Sequence, residues 1–146
     1  MSSEHAQLQI QEALDAFVRE ASVVGVQLSD RCGASLAISG DLFRVDPSRF
    51  AASLAGLLAS AQGMMRPLGR EQVQRLHLEV GDVELLTALV KPAFSLAVVF
   101  DARTTLGVVR WRLDALVDRL SAVIGGGAGQ QMGAPISDEE IENLFS

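Results

Sequence analysis

The sequence predicts an α+β protein in which helices cover both faces of a five-stranded antiparallel sheet, followed by a flexible C-terminal tail. Three observations predict this fold. Three segments carry apolar residues at helical spacing, five short apolar segments are separated by turn residues, and a glycine-rich run precedes an acidic end. In chain order the elements are αββαβββα, and they place one domain at residues 4–124 of the 146.

The first helix is predicted from Ala6 to Ala21, because the apolar residues of this segment share one face. Val23–Ser29 and Ala34–Ser39 are short and apolar, and the turn residues 30–33 join them in a β-hairpin. Cys32 lies in this turn. We interpret it as a small turn residue, since no His or Lys lies near it in sequence to activate a thiol.

A central helix of about 20 residues organises the chain. Asp46 is a preferred N-cap residue, Pro47 suits the first helical position, and Pro67 ends the helix after Arg66. One apolar face is expected to pack on the protein's own core; its residues are Phe50, Leu54, Leu57, Leu58, Ala61, Met64 and Met65.

The opposite face of the central helix has no charge between Arg49 and Arg66, so this helix is expected to be covered on both sides. Because a domain of this size has one core, the second cover is predicted to come from another chain. An alanine-rich surface helix is the open alternative, although each interior glycine costs about 1 kcal/mol relative to Ala and needs a packing reason. The predicted contact residues are Ala52, Ala55, Gly56, Ala59 and Gly63.

Three strands follow the central helix. Val73–Val80 alternates apolar and polar residues, and Gly81-Asp82 supplies a turn into Val83–Lys91. Phe94–Phe100 is apolar enough to lie at the centre of the sheet. These segments complete the five predicted strands.

A third helix, capped by Thr104 or Thr105, is predicted to run to about Ile124. Residues 125–135 are rich in glycine and are predicted to form a flexible linker. This run lacks the Gly-Lys-Ser/Thr ending of a phosphate-binding loop and follows a helix instead of a strand, so nucleotide binding is not expected.

Residues 136–146 are predicted to form a short acidic amphipathic helix, because Ser137 and Glu140 match a capping box. So short a helix is unstable alone in water, and we expect it to fold on a partner. Docking of the tail on its own domain is the open alternative. The residues predicted to bind are Ile136, Asp138, Glu139, Glu140, Ile141, Leu144 and Phe145.

Composition excludes several classes of function. A net charge of −6 and a pI near 4.8 argue against nucleic-acid binding, which requires a positive surface. The N-terminus is polar and acidic, and no uninterrupted apolar run approaches the length of a membrane span, so we expect a cytoplasmic protein without membrane insertion. A single cysteine fits a reducing compartment.

No catalytic residue, metal site or cofactor is predicted. His5 and His77 have no Cys or His partner at metal-binding spacing, and no nucleophile or carboxylate pair carries a recognisable local signature. Arg103 stands between a strand and a helix, where a catalytic arginine finger could lie. We interpret it instead as the partner of Asp101, and the protein as a non-enzyme.

The order of elements, the uncharged second helix, the segment Val98–Arg110 (VVFDARTTLGVVR) and the terminal ISDEEIENLFS resemble the Roadblock superfamily of dynein-light-chain-related domains. Within it the chain is similar to the MglB family of bacterial GTPase regulators. The resemblance implies a Roadblock-type homodimer in which the second helices pack together and the third strands pair edge to edge. It thereby adds Val73, Arg75 and His77 to the dimer interface.

The resemblance also implies a partner, a Ras-like small GTPase of the MglA type, with two copies of this chain per GTPase. The regulator would activate hydrolysis without an arginine finger, by stabilising the GTPase's own catalytic residues, in the control of cell polarity and motility from the cytoplasm or the cell pole. The tail would contact a separate face of the GTPase. Two alternatives stay open: a Roadblock scaffold that does not activate hydrolysis, and a tail that docks a response regulator, since it also resembles the acidic peptide of flagellar switch proteins.

Overall fold

The structure, a computed structural model, describes residues 2–42, 44–70 and 72–132. Within these ranges the chain forms the predicted αββαβββα series, and the α+β class and the five-stranded antiparallel sheet are confirmed. A short 3-10 turn, Arg66–Leu68, follows the second helix. The elements are α1 Ser2–Ala21, β1 Gly25–Asp30, β2 Ser35–Gly40, α2 Pro47–Met65, β3 Arg75–Val80, β4 Val83–Val90, β5 Phe94–Phe100 and α3 Leu106–Met132.

The strand order is β2-β1-β5-β4-β3, and every neighbouring pair is antiparallel. The most apolar strand, β5, lies at the centre, as its composition predicts, while β2 and β3 form the edges. Gly81 has a φ of 62° in the two-residue turn between Val80 and Val83, where a tight hairpin favours glycine. This turn fixes the register of β3 on β4.

The helices α1 and α3 pack side by side on one face of the sheet and enclose the main core. Their apolar faces are sealed, with Leu14, Leu113 and Leu120 each 0% exposed. Asp15 in α1 accepts a 2.6 Å hydrogen bond from the Ser39 hydroxyl on β2, which fixes the helix to the sheet. The core between these helices and the sheet is therefore buried within one chain.

On the other face, α2 contacts mainly β1 and β2. The predicted N-cap is confirmed: Asp46 accepts a hydrogen bond from the backbone N–H of Ser48, and Pro47 is the first helical residue. Gln27, buried in β1, donates a 2.9 Å hydrogen bond to the Pro47 carbonyl. The start of α2 is therefore well anchored.

The prediction that the whole apolar face of α2 packs on the protein's own core is wrong. Ala51 and Leu54 are its buried residues, whereas Leu57, Met65 and Met64 are 36%, 39% and 76% exposed. A 19-residue helix is about 28 Å long, and the six-residue strands beneath it are only about 20 Å long. The C-terminal end of α2 therefore extends past the strands beneath it.

The predicted linker at 125–135 is also corrected in part, because α3 continues to Met132 and its residues 125–132 are helical. Extending an existing helix avoids the cost of nucleation, so a glycine-rich run can follow a stable helix in the same conformation. A Cβ at Gly125 would lie 3.2 Å from the Lys91 Nζ, so glycine also permits a close approach there. The rest of the linker and the short acidic helix, residues 133–146, lie outside the described residues.

Candidate interaction surface

The outer face of α2 brings together the small residues predicted to contact another chain. Gly56, Ala59 and Gly63 are exposed, and Ala55 beside them is half-buried. A Cβ built on Gly56 or Gly63 would meet no atom within 4 Å. These positions form a shallow strip of backbone that is open to close approach by another helix.

Ala52, the fifth predicted contact residue on α2, lies at the end of this strip nearest the β1–β2 turn. A Cβ on Gly33 would be only 3.0 Å from the Ala52 Cα, and Gly33 has a φ of 93°, a conformation that favours glycine. The turn of the same chain therefore packs against the backbone of α2 at Ala52, although this residue is still exposed.

Large apolar side chains continue this surface toward the end of α2. Leu57 and Met64 are exposed, and Leu68 in the following turn is 68% exposed. The segment from Phe50 to Met65 contains no charged residue. An exposed apolar patch on a helical segment without charged residues is typical of a surface that binds another protein. We call the exposed residues of α2 from Ala52 to Met65, together with Leu68, the α2 surface.

The edge strand β3 is the second predicted contact element. It begins at Arg75, so Val73, predicted as its first residue, precedes it and is half-buried. The Arg75 guanidinium pairs with Asp114 on α3. The side chains of Arg75 and of His77, which shares its face of the strand, are therefore directed to the α3 side of the sheet.

The α2 side of β3 carries Leu76, Leu78 and Val80, of which Leu78 and Val80 are 36% and 71% exposed. The alternation of this strand indicated an apolar face, but it did not show that this face extends beyond the cover of α2. Leu78 and Val80 are the contact candidates that sequence reasoning missed. An unpaired edge with an apolar face can accept another strand.

The predicted pairing of Arg103 with Asp101 is confirmed. Asp101 Oδ1 accepts hydrogen bonds from the backbone N and from Nε of Arg103, at 3.1 Å and 3.0 Å. The Arg103 side chain lowers the pKa of the Asp101 carboxyl through this bond, and the same bond raises the pKa of the guanidinium. The Arg103 guanidinium is therefore paired with an acidic residue of the same loop, between β5 and α3.

Over the described residues, no helix combines the length and the hydropathy that a membrane crossing requires. The two open surfaces, α2 and the edge of β3, have the shape and composition of protein-binding surfaces. The fold and these surfaces together define a small α+β domain with two uncovered surfaces of a kind that is typical of protein-binding domains.

The family follows from comparison with known proteins. The sequence matches the Roadblock/LC7 domain over residues 9–100, and the chain belongs to this family. None of the curated protein sequences matches it.

Solved structures of MglB proteins share the fold. The chain is 26% identical to Myxococcus xanthus MglB, with a TM-score of 0.79 over 83% of this chain and 91% of that one. The gliding protein MglB from Thermus thermophilus is 23% identical, with a TM-score of 0.74 over 81% and 90%. An MglB described as having a tetrameric arrangement is 22% identical, with a TM-score of 0.76 over 84% and 92%.

Proposed function

We propose that this protein is a homodimeric regulator of a small Ras-like GTPase, similar in action to MglB, and that it has no catalytic site of its own. The observation that carries the proposal is the α2 surface, which is uncharged and open to solvent. The similarity to Myxococcus xanthus MglB over most of both chains supports the same assignment.

In the proposed dimer, the two α2 helices pack across the strip at Gly56, Ala59 and Gly63, and the β3 strands pair edge to edge. Small residues let the helix backbones approach closely, so their large apolar neighbours can be buried together. The dimer formed in this way also covers Leu78 and Val80, which are exposed on the α2 side of β3 in the single chain. The GTPase binds the platform formed by the two helices.

The proposed mechanism stabilises the catalytic residues that the GTPase itself provides. Arg103 is paired with Asp101 and Arg75 with Asp114, so each guanidinium would have to leave an acidic partner to reach a bound nucleotide. Arg49 and Arg66, at the two ends of the uncharged segment, are exposed and are the arginines nearest to the proposed platform in sequence. An arginine finger accelerates hydrolysis by about 10³–10⁵-fold.

Single-turnover GTP hydrolysis by the partner GTPase, with and without this protein, tests the proposal. We expect acceleration that is lost in Gly56→Glu and retained in Arg49→Ala and in Arg66→Ala. A loss of about 10³-fold or more in either arginine variant would contradict the mechanism. Binding without acceleration would instead establish the scaffold function.

We propose that the tail, residues 136–146, makes a separate accessory contact with the GTPase. Burying Ile141, Leu144 and Phe145 contributes about 1.5–3 kcal/mol each, and ordering the segment costs about 1–2 kcal/mol per residue, so the free peptide should bind weakly. Attachment to the domain raises its effective concentration to about the millimolar range.

Deletion of residues 136–146 should lower the affinity for the GTPase while leaving the domain folded, and Ile141→Ala combined with Phe145→Ala should have the same effect. Higher salt should weaken the full-length complex more than the truncated one, because only the former carries the acidic residues of the tail. Equal affinities and equal salt dependence would contradict the tail contact. The tail peptide should then be titrated against a response regulator and against its own domain.

A further inference from the structure

The β3–β4 hairpin brings three potential metal ligands together on the α3 side of the sheet. Glu79 on β3 lies directly opposite Glu84 on β4, and His77 lies two residues before Glu79 on the same face. One ligand atom from each of the three side chains lies within 4.8 Å of the other two. His77 Nε2 and Glu84 Oε1 are 2.8 Å apart.

The two glutamates form an unfavourable cross-strand pair, since like charges directly opposite each other destabilise a sheet. Asp82 in the turn adds another acidic side chain to the end of the hairpin. The neighbouring Arg75 pairs with Asp114 on α3 and not with either of the two glutamates. A divalent cation between Glu79 and Glu84 would relieve their repulsion.

The imidazole of His77 identifies the class of cation. One histidine nitrogen and two carboxylate oxygens are ligands of zinc and similar divalent transition metals, and three protein ligands leave a position for water. Magnesium and calcium prefer oxygen ligands alone. The donor set therefore favours a transition metal of the zinc type.

The surrounding structure holds two of the three ligands in place. The two-residue turn at Gly81-Asp82 fixes the strand register. The His77 ring lies nearly parallel to the ring of Phe100, with 9° between their planes and 6.4 Å between their centroids. His77 and Glu84 are half-buried, whereas Glu79 is exposed.

We propose that His77, Glu79 and Glu84 form a binding site for a divalent metal ion of the zinc type. Binding replaces the His77–Glu84 hydrogen bond with two metal–ligand bonds. The Nε2 lone pair must face the metal, so the ring proton of the metal-bound form resides on Nδ1. Glu79 completes the set of protein ligands.

The site is tested with Zn²⁺ alone on the full-length protein carrying Cys32→Ser, since the exposed thiol of Cys32 is a competing ligand. Isothermal titration should detect one Zn²⁺ per chain, with Mg²⁺ showing no comparable binding. His77→Ala should weaken Zn²⁺ binding by at least about tenfold. His5→Ala is the matched control, because His5 is the other histidine of the chain, and it should leave the affinity unchanged.

Glu79→Gln and Glu84→Gln should each weaken binding by about tenfold or more. Because Glu79 is exposed, its variant separates loss of a ligand from loss of folding. Zn²⁺ should also raise the melting temperature of the protein and should not raise that of His77→Ala. The proposal is overturned if His77→Ala binds Zn²⁺ as tightly as His5→Ala, or if Glu79→Gln has unaltered affinity.

Discussion

The two faces of the sheet differ in how completely this chain covers them. On one face, α1 and α3 seal the core, and Leu14, Leu113 and Leu120 are fully buried. On the other, α2 is just as apolar but buries only Ala51 and Leu54. The difference shows that an apolar helix sequence does not by itself indicate burial in its own domain.

The two layers also differ in the charge of their outer surfaces. Charged side chains surround the α1/α3 layer and pair with one another, as in Arg112 with Glu20 and Arg75 with Asp114. The exposed part of α2 between Arg49 and Arg66 has no charged residue. The outer surface of the α1/α3 layer is thus rich in charge, whereas the exposed part of α2 has the composition that is typical of protein-binding surfaces.

The largest expected effect distinguishes the two layers by folding stability. Leu113→Ala, at a 0% exposed position of α3, should lower the free energy of unfolding by about 2–5 kcal/mol, because it leaves a cavity in a sealed core. Leu57→Ala, at a 36% exposed position of α2, should lower that of the monomer by about 1 kcal/mol or less. Urea unfolding measures both.

Both variants should carry Gly56→Glu, so that dimerisation does not contribute to the measured stability. Equal losses at the two positions would indicate that α2 is packed as firmly as α3. The two faces of the sheet would then not differ in how firmly their helices are packed.

A smaller effect is expected on the association of two chains, which should depend on α2 and not on α3. Gly56→Glu on α2 should raise the dissociation constant of the proposed dimer by about 100-fold, or about 2.7 kcal/mol, because it would place a charge between the two helices of that dimer. Gly107→Glu on α3 is the matched control, since a Cβ at either glycine meets no atom within 4 Å. Sedimentation equilibrium measures both constants.

The monomer has room for the new side chain at either position, so circular dichroism should show an unchanged fold in both variants. If Gly56→Glu remains as dimeric as Gly107→Glu, the strip on α2 is not the interface. The edge of β3 would then be the remaining candidate interface among the described residues.

The smallest effect concerns pH and the α1/α3 layer. The Ser39 hydroxyl and the Gln11 side-chain amide donate hydrogen bonds to Asp15 and lower its pKa below the ordinary value of 3.8. Because the folded carboxyl binds its proton at lower pH than the unfolded one, its stabilisation is complete above about pH 4 and is lost as the pH falls through the folded-state pKa. At neutral pH, Asp15→Asn should therefore destabilise the protein by about 1 kcal/mol.

The stability difference between wild type and Asp15→Asn, followed by chemical unfolding from pH 7 to pH 3, should be constant at first and shrink below about pH 4. Ser39→Ala should produce a similar pH dependence, because it removes the main cause of the lowered pKa. A difference that is independent of pH would contradict this assignment.

Local rules predicted the elements well, because the signals are local. The cap at Asp46-Pro47 predicted the start of α2, the apolar run of β5 predicted its central place, and nearness in sequence predicted the Arg103–Asp101 pair. The extension of α3 through Gly125 was not predicted, because glycine composition alone does not show whether a preceding helix continues.

The exposed surfaces of α2 and β3 could be predicted only in part. The small residues of α2 are visible in the sequence, but the exposure of Met64 and Val80 depends on where α2 lies across the sheet. The cluster around His77 has a signal in the sequence. A two-residue turn at Gly81-Asp82 places Glu79 opposite Glu84, so the hairpin register predicts their proximity.

The uneven anchoring of α2 has a consequence for its motions. Its first half is held by Ala51, Leu54 and the Gln27 hydrogen bond to Pro47, whereas its second half contains no buried residue and ends in the exposed Met64 and Met65. Segments with few buried contacts open locally at a lower free energy than the core. In the isolated chain, the last turns of α2 should therefore fray and refold many times within the lifetime of the folded sheet, and each such opening exposes peptide groups that a bound partner would keep closed.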